Sequence, residues 1–222
     1  MIKWYKRILS HFFPQHIESI ESSKNDYLDL YLIKNRLQLS THDAIYSFDD
    51  LYYNFNYLFK TIKIPPSGAK VLILGMGLGS IPYMLEKNFR KNYEYTGVDN
   101  DETVLYLFSK YQQKRLQSYI QLYEADAYNF INLDEERYDM ICIDLFVGEI
   151  IPEQFFSIRF ITDVKSSLNH NGIVLWNMLY SDRKSQKETD YYYHNTFQQV
   201  FPNAQKKEIL GNMMLIGQKK GN

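Results

Sequence analysis

The chain has 222 residues, 45% of them apolar and 23% charged, enough for one well-packed domain with a small appendage and too few for a second large one. Its 25 basic and 26 acidic residues leave a formal net charge of -1, so no global field gathers nucleic acid around the protein. The one cysteine, Cys142, sits in an apolar run; it excludes a disulfide scaffold and a cysteine metal site and fits a reducing, cytoplasmic setting. The five histidines show no ligand spacing, and no metal site is expected.

At the amino end Trp4, Ile8 and Phe12 recur every four residues among Lys3, Lys6 and Arg7, which predicts an amphipathic helix before Pro14. The segment is too broken by charge for a signal peptide and too short to span a bilayer, and no other stretch is a span. Docking on the body of the protein or on a second subunit is the expectation, with a membrane-surface foot as the alternative. The runs Ile17 to Ser22, Tyr27 to Leu32 and Lys34 to Ser40 follow, with Leu28, Leu30 and Leu32 on one parity, which predicts two or three half-buried antiparallel strands. From Asp43 the period lengthens: Ile45, Phe48, Leu51 or Tyr52, Phe55 and Leu58 or Phe59 predict a core-facing helix with Thr41 or Asp43 as its cap. Residues 1–42 thus read as a helix and small β unit, and residues 43–222 as the main domain.

After the turn Ile64 to Gly68 the chain repeats one grammar. Strands are expected at Val71 to Leu74, Tyr93 to Val98, Tyr119 to Tyr123, Met140 to Leu145 and Ile173 to Met178, alternating with helices from about Ser80, at Glu102 to Tyr111, Tyr128 to Leu133 and Glu153 to Leu168. The polar stretch Ser181 to Asp190 reads as a surface loop, Tyr191 to Val200 as a last helix, and Met213 to Gly217 as a last, antiparallel strand. This alternation defines an α/β fold with a doubly covered, mostly parallel sheet.

Chemistry-bearing residues fall at the ends of these strands. Gly75, Gly77 and Gly79 make a tight turn between the first strand and its helix, admit close approach of a ligand, and aim backbone amides at it. Asp99, ending the second strand, is placed to accept both hydroxyls of a ribose. Asp126 and Ala127 follow the third strand, where Asp126 is placed to meet an adenine amino group or to cap a helix. Asp144 ends a buried apolar strand, and a charge there needs a donor or a cation from the cleft, so it is the best functional candidate. Four such marks at successive strand ends favour a single nucleoside with a charged tail over a dinucleotide. Trp176, Asn177 and Tyr180 at the end of the fifth strand are expected to wall the substrate pocket, Trp176 being equally readable as core.

Together these residues make the chain resemble the spermidine synthase (aminopropyltransferase) family, within the class I S-adenosylmethionine-dependent methyltransferase superfamily. The resemblance runs from about Ile17 to Lys219. It implies a Rossmann-like nucleoside domain behind a small amino-terminal antiparallel β unit, S-adenosyl-L-methionine or its decarboxylated form as the cofactor, a small-molecule substrate, and commonly a homodimer. It places Gln38 near the nucleoside, Asp99 on the ribose, Asp126 by the adenine, and Asp144 at the catalytic aspartate. Four positions depart from the family pattern. Leu78 replaces an aspartate that holds the cofactor tail, Val147 replaces a second substrate aspartate, and Ser47 and Phe48 replace a tyrosine and a histidine; Asp49 then stands where an acid is expected on the substrate side. Because these losses fall on amine recognition, methyl transfer to a small acceptor, with Asp144 orienting or deprotonating it, is the expected chemistry. Aminopropyl transfer from decarboxylated S-adenosylmethionine and a non-catalytic nucleoside-binding role are the alternatives. Nucleic acid is not an expected partner.

Overall fold

The computed structural model describes residues 2–42, 44–148 and 150–221. It opens with helix α1 (Trp4–Leu9), shorter than the sequence period suggests, and a four-stranded antiparallel sheet in the order β1 (Gln15–Ile20), β2 (Leu28–Ile33), β3 (Arg36–Ser40), β4 (Ile45–Ser47). The alternating leucines of β2 all turn inward, as their parity requires. The long helix expected from residue 43 does not form. Ile45–Ser47 pairs instead with β3, a tight turn follows at Asp49–Leu51, and only Tyr53–Phe59 (α2) is α-helical. The cause is Asp49, which takes the left-handed conformation (φ 42°) and carries its carboxylate inward to Arg115 Nη2 at 2.8 Å, Gln112 Nε2 at 2.6 Å and the Leu37 amide at 2.9 Å. Thr41 caps a turn into β4 through Ala44 N, at 3.2 Å, rather than a helix; the alternative cap Asp43 lies outside the described residues.

A seven-stranded sheet carries the rest. Its members are β5 (Lys70–Leu74), β6 (Glu94–Asp99), β7 (Ile120–Glu124), β8 (Tyr138–Ile143), β9 (Leu168–Leu179), β10 (Gln205–Ile209) and β11 (Asn212–Gln218), in the order β10-β11-β9-β8-β5-β6-β7. Strands β9, β8, β5, β6 and β7 run parallel, and the hairpin β10–β11 adds antiparallel to β9. Helices α3 (Ser80–Lys87), α4 (Glu102–Leu107), α5 (Ala127–Leu133) and α6 (Ile158–Ser166) are the crossovers. Two apolar clusters, one on each face, bury residues 71–74 of β5 and 140–143 of β8, which is why those runs are apolar at every position rather than at alternate ones. The expected loop Ser181 to Asp190 is helical: α7 (Arg183–Tyr192) starts at a reciprocal cap in which Asp182 accepts from Ser185 N and Ser185 Oγ accepts from Asp182 N, and the helix runs on through a wider turn at Tyr193–Phe197 to Val200.

Strand order reverses between β5 and β8, and a crevice opens there at the carboxyl ends of the strands. Gly75 makes that junction possible. Its φ is 87°, and a Cβ on it would stand 2.1 Å from the Asp144 carbonyl oxygen. Gly75→Ala is therefore expected to destabilise the protein by about 3 kcal/mol or more, from left-handed strain plus a backbone clash, which urea denaturation would measure.

Candidate functional site

The crevice is a cavity of about 360 Å³ whose walls include Gly75, Gly77, Asp99, Asp126, Ala127 and Asp144. Five elements far apart in sequence bring these residues together: the turn after β5 and the ends of β6, β7 and β8 supply the floor, and the small β unit forms one side through Tyr46.

Asp99 ends β6 with its carboxylate folded toward the glycine turn, where Oδ2 accepts from Gly77 N at 2.9 Å and Oδ1 from Asp101 N at 3.2 Å. Burial pushes its pKa up from 3.8 to about 6, against the pull of those amides. Each oxygen keeps a further lone pair, so the group retains acceptor capacity for two hydroxyls. Four amides of the glycine turn are already bonded within the fold. Gly75 N and Met76 N both donate to Val98 O at 2.9 Å, Gly77 N is taken by Asp99, and Gly79 N donates to Met76 O at 3.0 Å. The glycines also make room: Gly79, outside the cavity wall, leaves space for the Phe108 ring, which a Cβ would meet at 2.5 Å. Asp126 caps α5 through Tyr128 N and Asn129 N at 3.0 and 3.1 Å, while its other oxygen accepts from Gln154 Nε2 at 2.9 Å; it fills the capping role and still lines the cavity.

Asp144 follows β8 and lies deep in the cavity floor while remaining open to it. Asn177 Nδ2 donates to its Oδ1 at 2.9 Å, and the Tyr52 hydroxyl donates to the same oxygen at 3.2 Å. Asn177 is fixed in turn by Asn212 Nδ2, which donates to its Oδ1 at 2.9 Å and thereby sets the amide with its NH2 toward Asp144. Both neutral donors thus fall on one oxygen, and Oδ2 has no hydrogen-bond partner among the described residues. Burial raises the Asp144 pKa to about 6, opposed by Asn177 and Tyr52 and reinforced by the charge of Asp99. Burial and the neighbouring Asp144 charge hold the Tyr52 hydroxyl well above its ordinary pKa, so it stays a donor.

Besides Gly79, four candidates stand elsewhere. Gln38 lies mid-strand in β3 opposite Tyr31 and does not reach the cavity. Asp49 is the buried brace described above, tying the β unit to the turn after α4. Trp176 is fully buried core, packed on Phe160 and Tyr192 at ring-centre distances of 5.8 and 5.2 Å. Tyr180 donates to Asp190 at 3.1 Å, on the α7 side. Asn177, the strand neighbour of Trp176, points the opposite way and touches Asp144 rather than lining the cavity itself. Three contributors were not singled out from the sequence: Tyr46, whose hydroxyl accepts from Gly148 N at 2.9 Å, Tyr52 and Asn212. Tyr46 and Tyr52, one residue before Ser47 and five after it, both line the cavity.

Charge on the cavity wall is one-sided. Asp99, Asp101, Asp126 and Asp144 face a single cation, Lys24, among the described lining residues.

A parallel sheet with a reversed strand order, an antiparallel final hairpin and an acid at the end of its second strand define the class I Rossmann-like nucleoside fold, here preceded by a small antiparallel sheet. Within that class the chain belongs to the spermine/spermidine synthase domain family, whose model matches residues 61–210. The polyamine aminopropyltransferase of Vibrio vulnificus (strain CMCP6) is 26% identical over 154 residues, 68% of this chain and 50% of that protein, so the chain spans about half the length of this curated relative. The crystal structure of a probable spermidine synthase from Corynebacterium glutamicum ATCC 13032 superposes with a TM-score of 0.70 at 16% identity, over 94% of this chain and 81% of that one. Human methyltransferase-like protein 13 in complex with SAH gives 0.58 at 22% identity over 68% and 72% of the chains, a likeness of fold.

Proposed function

We propose that this chain is a transferase of the S-adenosylmethionine type that moves an aminopropyl group from decarboxylated S-adenosylmethionine to a small amine. Methyl transfer, the first expectation from the sequence, gives way on charge. The observation that carries the proposal is the cavity wall, whose described residues include four carboxylates and one lysine. A methionine tail ends in a carboxylate and needs cations or free amides, yet the amides of Gly75, Met76, Gly77 and Gly79 are internally bonded and Leu78 is buried. A decarboxylated tail ends in an ammonium and suits acidic walls. The family relation and the similarity to the Vibrio vulnificus enzyme support the same choice.

The residues fit such a nucleoside. Asp99 would hold the ribose hydroxyls, with Asp126 and Ala127 beside the base. When bound, the cofactor supplies a sulfonium-activated carbon, so the transfer forms a C–N bond and breaks a C–S bond with no covalent help from protein. The chain's own task is to place the acceptor and take its proton. Asp144 Oδ2 is the free oxygen for this, while Tyr52 and Asn177 hold Oδ1 still. Titration calorimetry tests the reading: decarboxylated S-adenosylmethionine is expected to bind at least about tenfold tighter than S-adenosylmethionine, one ion pair's worth of difference. Equal or weaker binding of the decarboxylated form would return the site to methyl transfer, and no binding of either would remove both.

A further inference from the structure

Helix α1 presents an apolar side to solvent. At 3.6 residues per turn Trp4, Tyr5, Ile8 and Leu9 share an arc of about 140°, and Lys3, Lys6 and Arg7 occupy the rest. The apolar arc touches no core: Trp4 is 74% exposed and Ile8 53%, and the two residues that follow the helix, Phe12 and Phe13, are 73% and 67% exposed. The expected docking on the body of the protein is made by the other side. Arg7 donates to Asn35 Oδ1 at 2.9 Å and Lys6 to His16 O at 2.7 Å, while Ser10 O and Oγ receive the amides of Lys34 and Asn35 at 2.6 and 2.9 Å. These bonds clamp the helix on the β2–β3 turn with its aromatic and aliphatic side chains turned outward.

The charged residues of the helix and of the segment up to β1 are all basic. The first acidic residue of the sequence is Glu18, and its carboxylate is turned to Lys110 and Tyr111; Lys3, Arg7 and Lys34 are exposed beside the apolar arc. A two-fold contact with a second copy would bring like charges together. A bilayer with anionic headgroups takes both halves, rings and aliphatic chains entering the interfacial layer while the cations meet phosphates. We propose that α1 and Phe12–Phe13 form a peripheral docking face for an anionic lipid surface. No helix among the described residues is long and apolar enough to cross a membrane.

The full chain reports this contact itself. It has two tryptophans, of which Trp176 is fully buried, so a change in indole emission belongs to Trp4. With vesicles of phosphatidylcholine mixed with phosphatidylglycerol, a blue shift and co-flotation are expected, about a hundredfold stronger than with phosphatidylcholine alone for three contributing cations. The triple variant Trp4→Ser, Phe12→Ser, Phe13→Ser should lose flotation with an unchanged melting temperature, and Lys3→Gln with Lys34→Gln should weaken it roughly tenfold or more. Absence of flotation, equal binding to both vesicles, or unaltered binding of the triple variant would each overturn the proposal. So would a blue shift that follows protein concentration alone and is lost in the Phe12→Ser, Phe13→Ser variant, with Trp4 kept, as a dimer dissolves; that would make the face a subunit contact.

Discussion

Asp144→Asn is expected to lower kcat by about a hundred- to ten-thousandfold while leaving the Kd of the sulfonium nucleoside within a few-fold. The substitution is nearly isosteric and its consequences follow from which oxygen is occupied. The amide oxygen of the introduced side chain would keep the Oδ1 position, because Asn177 Nδ2 and the Tyr52 hydroxyl both donate there. The new NH2 then stands where Oδ2 stood, a donor where the proposed transfer needs a base. Steady-state kinetics with a panel of small amines, paired with calorimetry on the same preparation, separates the two effects. The wild-type rate should climb with pH through about 6 as Asp144 ionises, and that limb should be absent from the residual rate of the variant. Unchanged turnover would remove Asp144 from the reaction, and a large parallel loss of nucleoside affinity would make it a binding group instead.

Asp144 was legible because a charge at the end of a wholly apolar run has one simple explanation, an opening at that edge. The same logic located Asp99 and Asp126, and the buried runs of β5 and β8 marked those strands as part of a parallel core covered on both faces. What escaped the sequence was set at long range. Ile45, Phe48 and Phe55 do carry a helical period, but Asp49 breaks it for partners at Gln112 and Arg115, more than sixty positions away, and no local feature announces that pull. The clamp on Asp144 was partly readable: adjacent residues of a strand face opposite ways, so Trp176 and Asn177 could not both wall one pocket. Which of them faced the cleft depended on the register between β8 and β9, where Ile143 pairs with Trp176. Helix α7 does carry a readable signal, since Asp182 with Ser185 three residues on is a local start even without an apolar period. The glycine turn carries a second requirement that the sequence did not announce: Gly75 and Gly79 make room for Asp144 O and the Phe108 ring.

Asp99→Asn is expected to move stability and binding in opposite directions. The folded carboxyl has its pKa at about 6 against an ordinary 3.8, so between these values the folded state holds more protons than the unfolded one. Stability from this group is therefore greatest below about pH 4, falls as pH rises toward 6, and is flat above it, a loss of at most about 3 kcal/mol for a side chain deep in the cavity. Asn carries no charge to bury. The variant should gain stability over the wild type at pH 7, offset by about 1 kcal/mol for the one amide bond that a single acceptor oxygen gives up, and should show no gain at pH 4. Nucleoside affinity should fall about a hundredfold, since two hydroxyls lose a charged acceptor worth roughly 1.5 kcal/mol or more apiece. Urea denaturation at the two pH values and calorimetry at pH 7 make the comparison. A variant that both binds as the wild type does and melts no higher would mean that Asp99 serves the turn at Gly77 alone; a gain in stability with loss of binding would mark a carboxylate kept ionised at the fold's expense to receive a ligand.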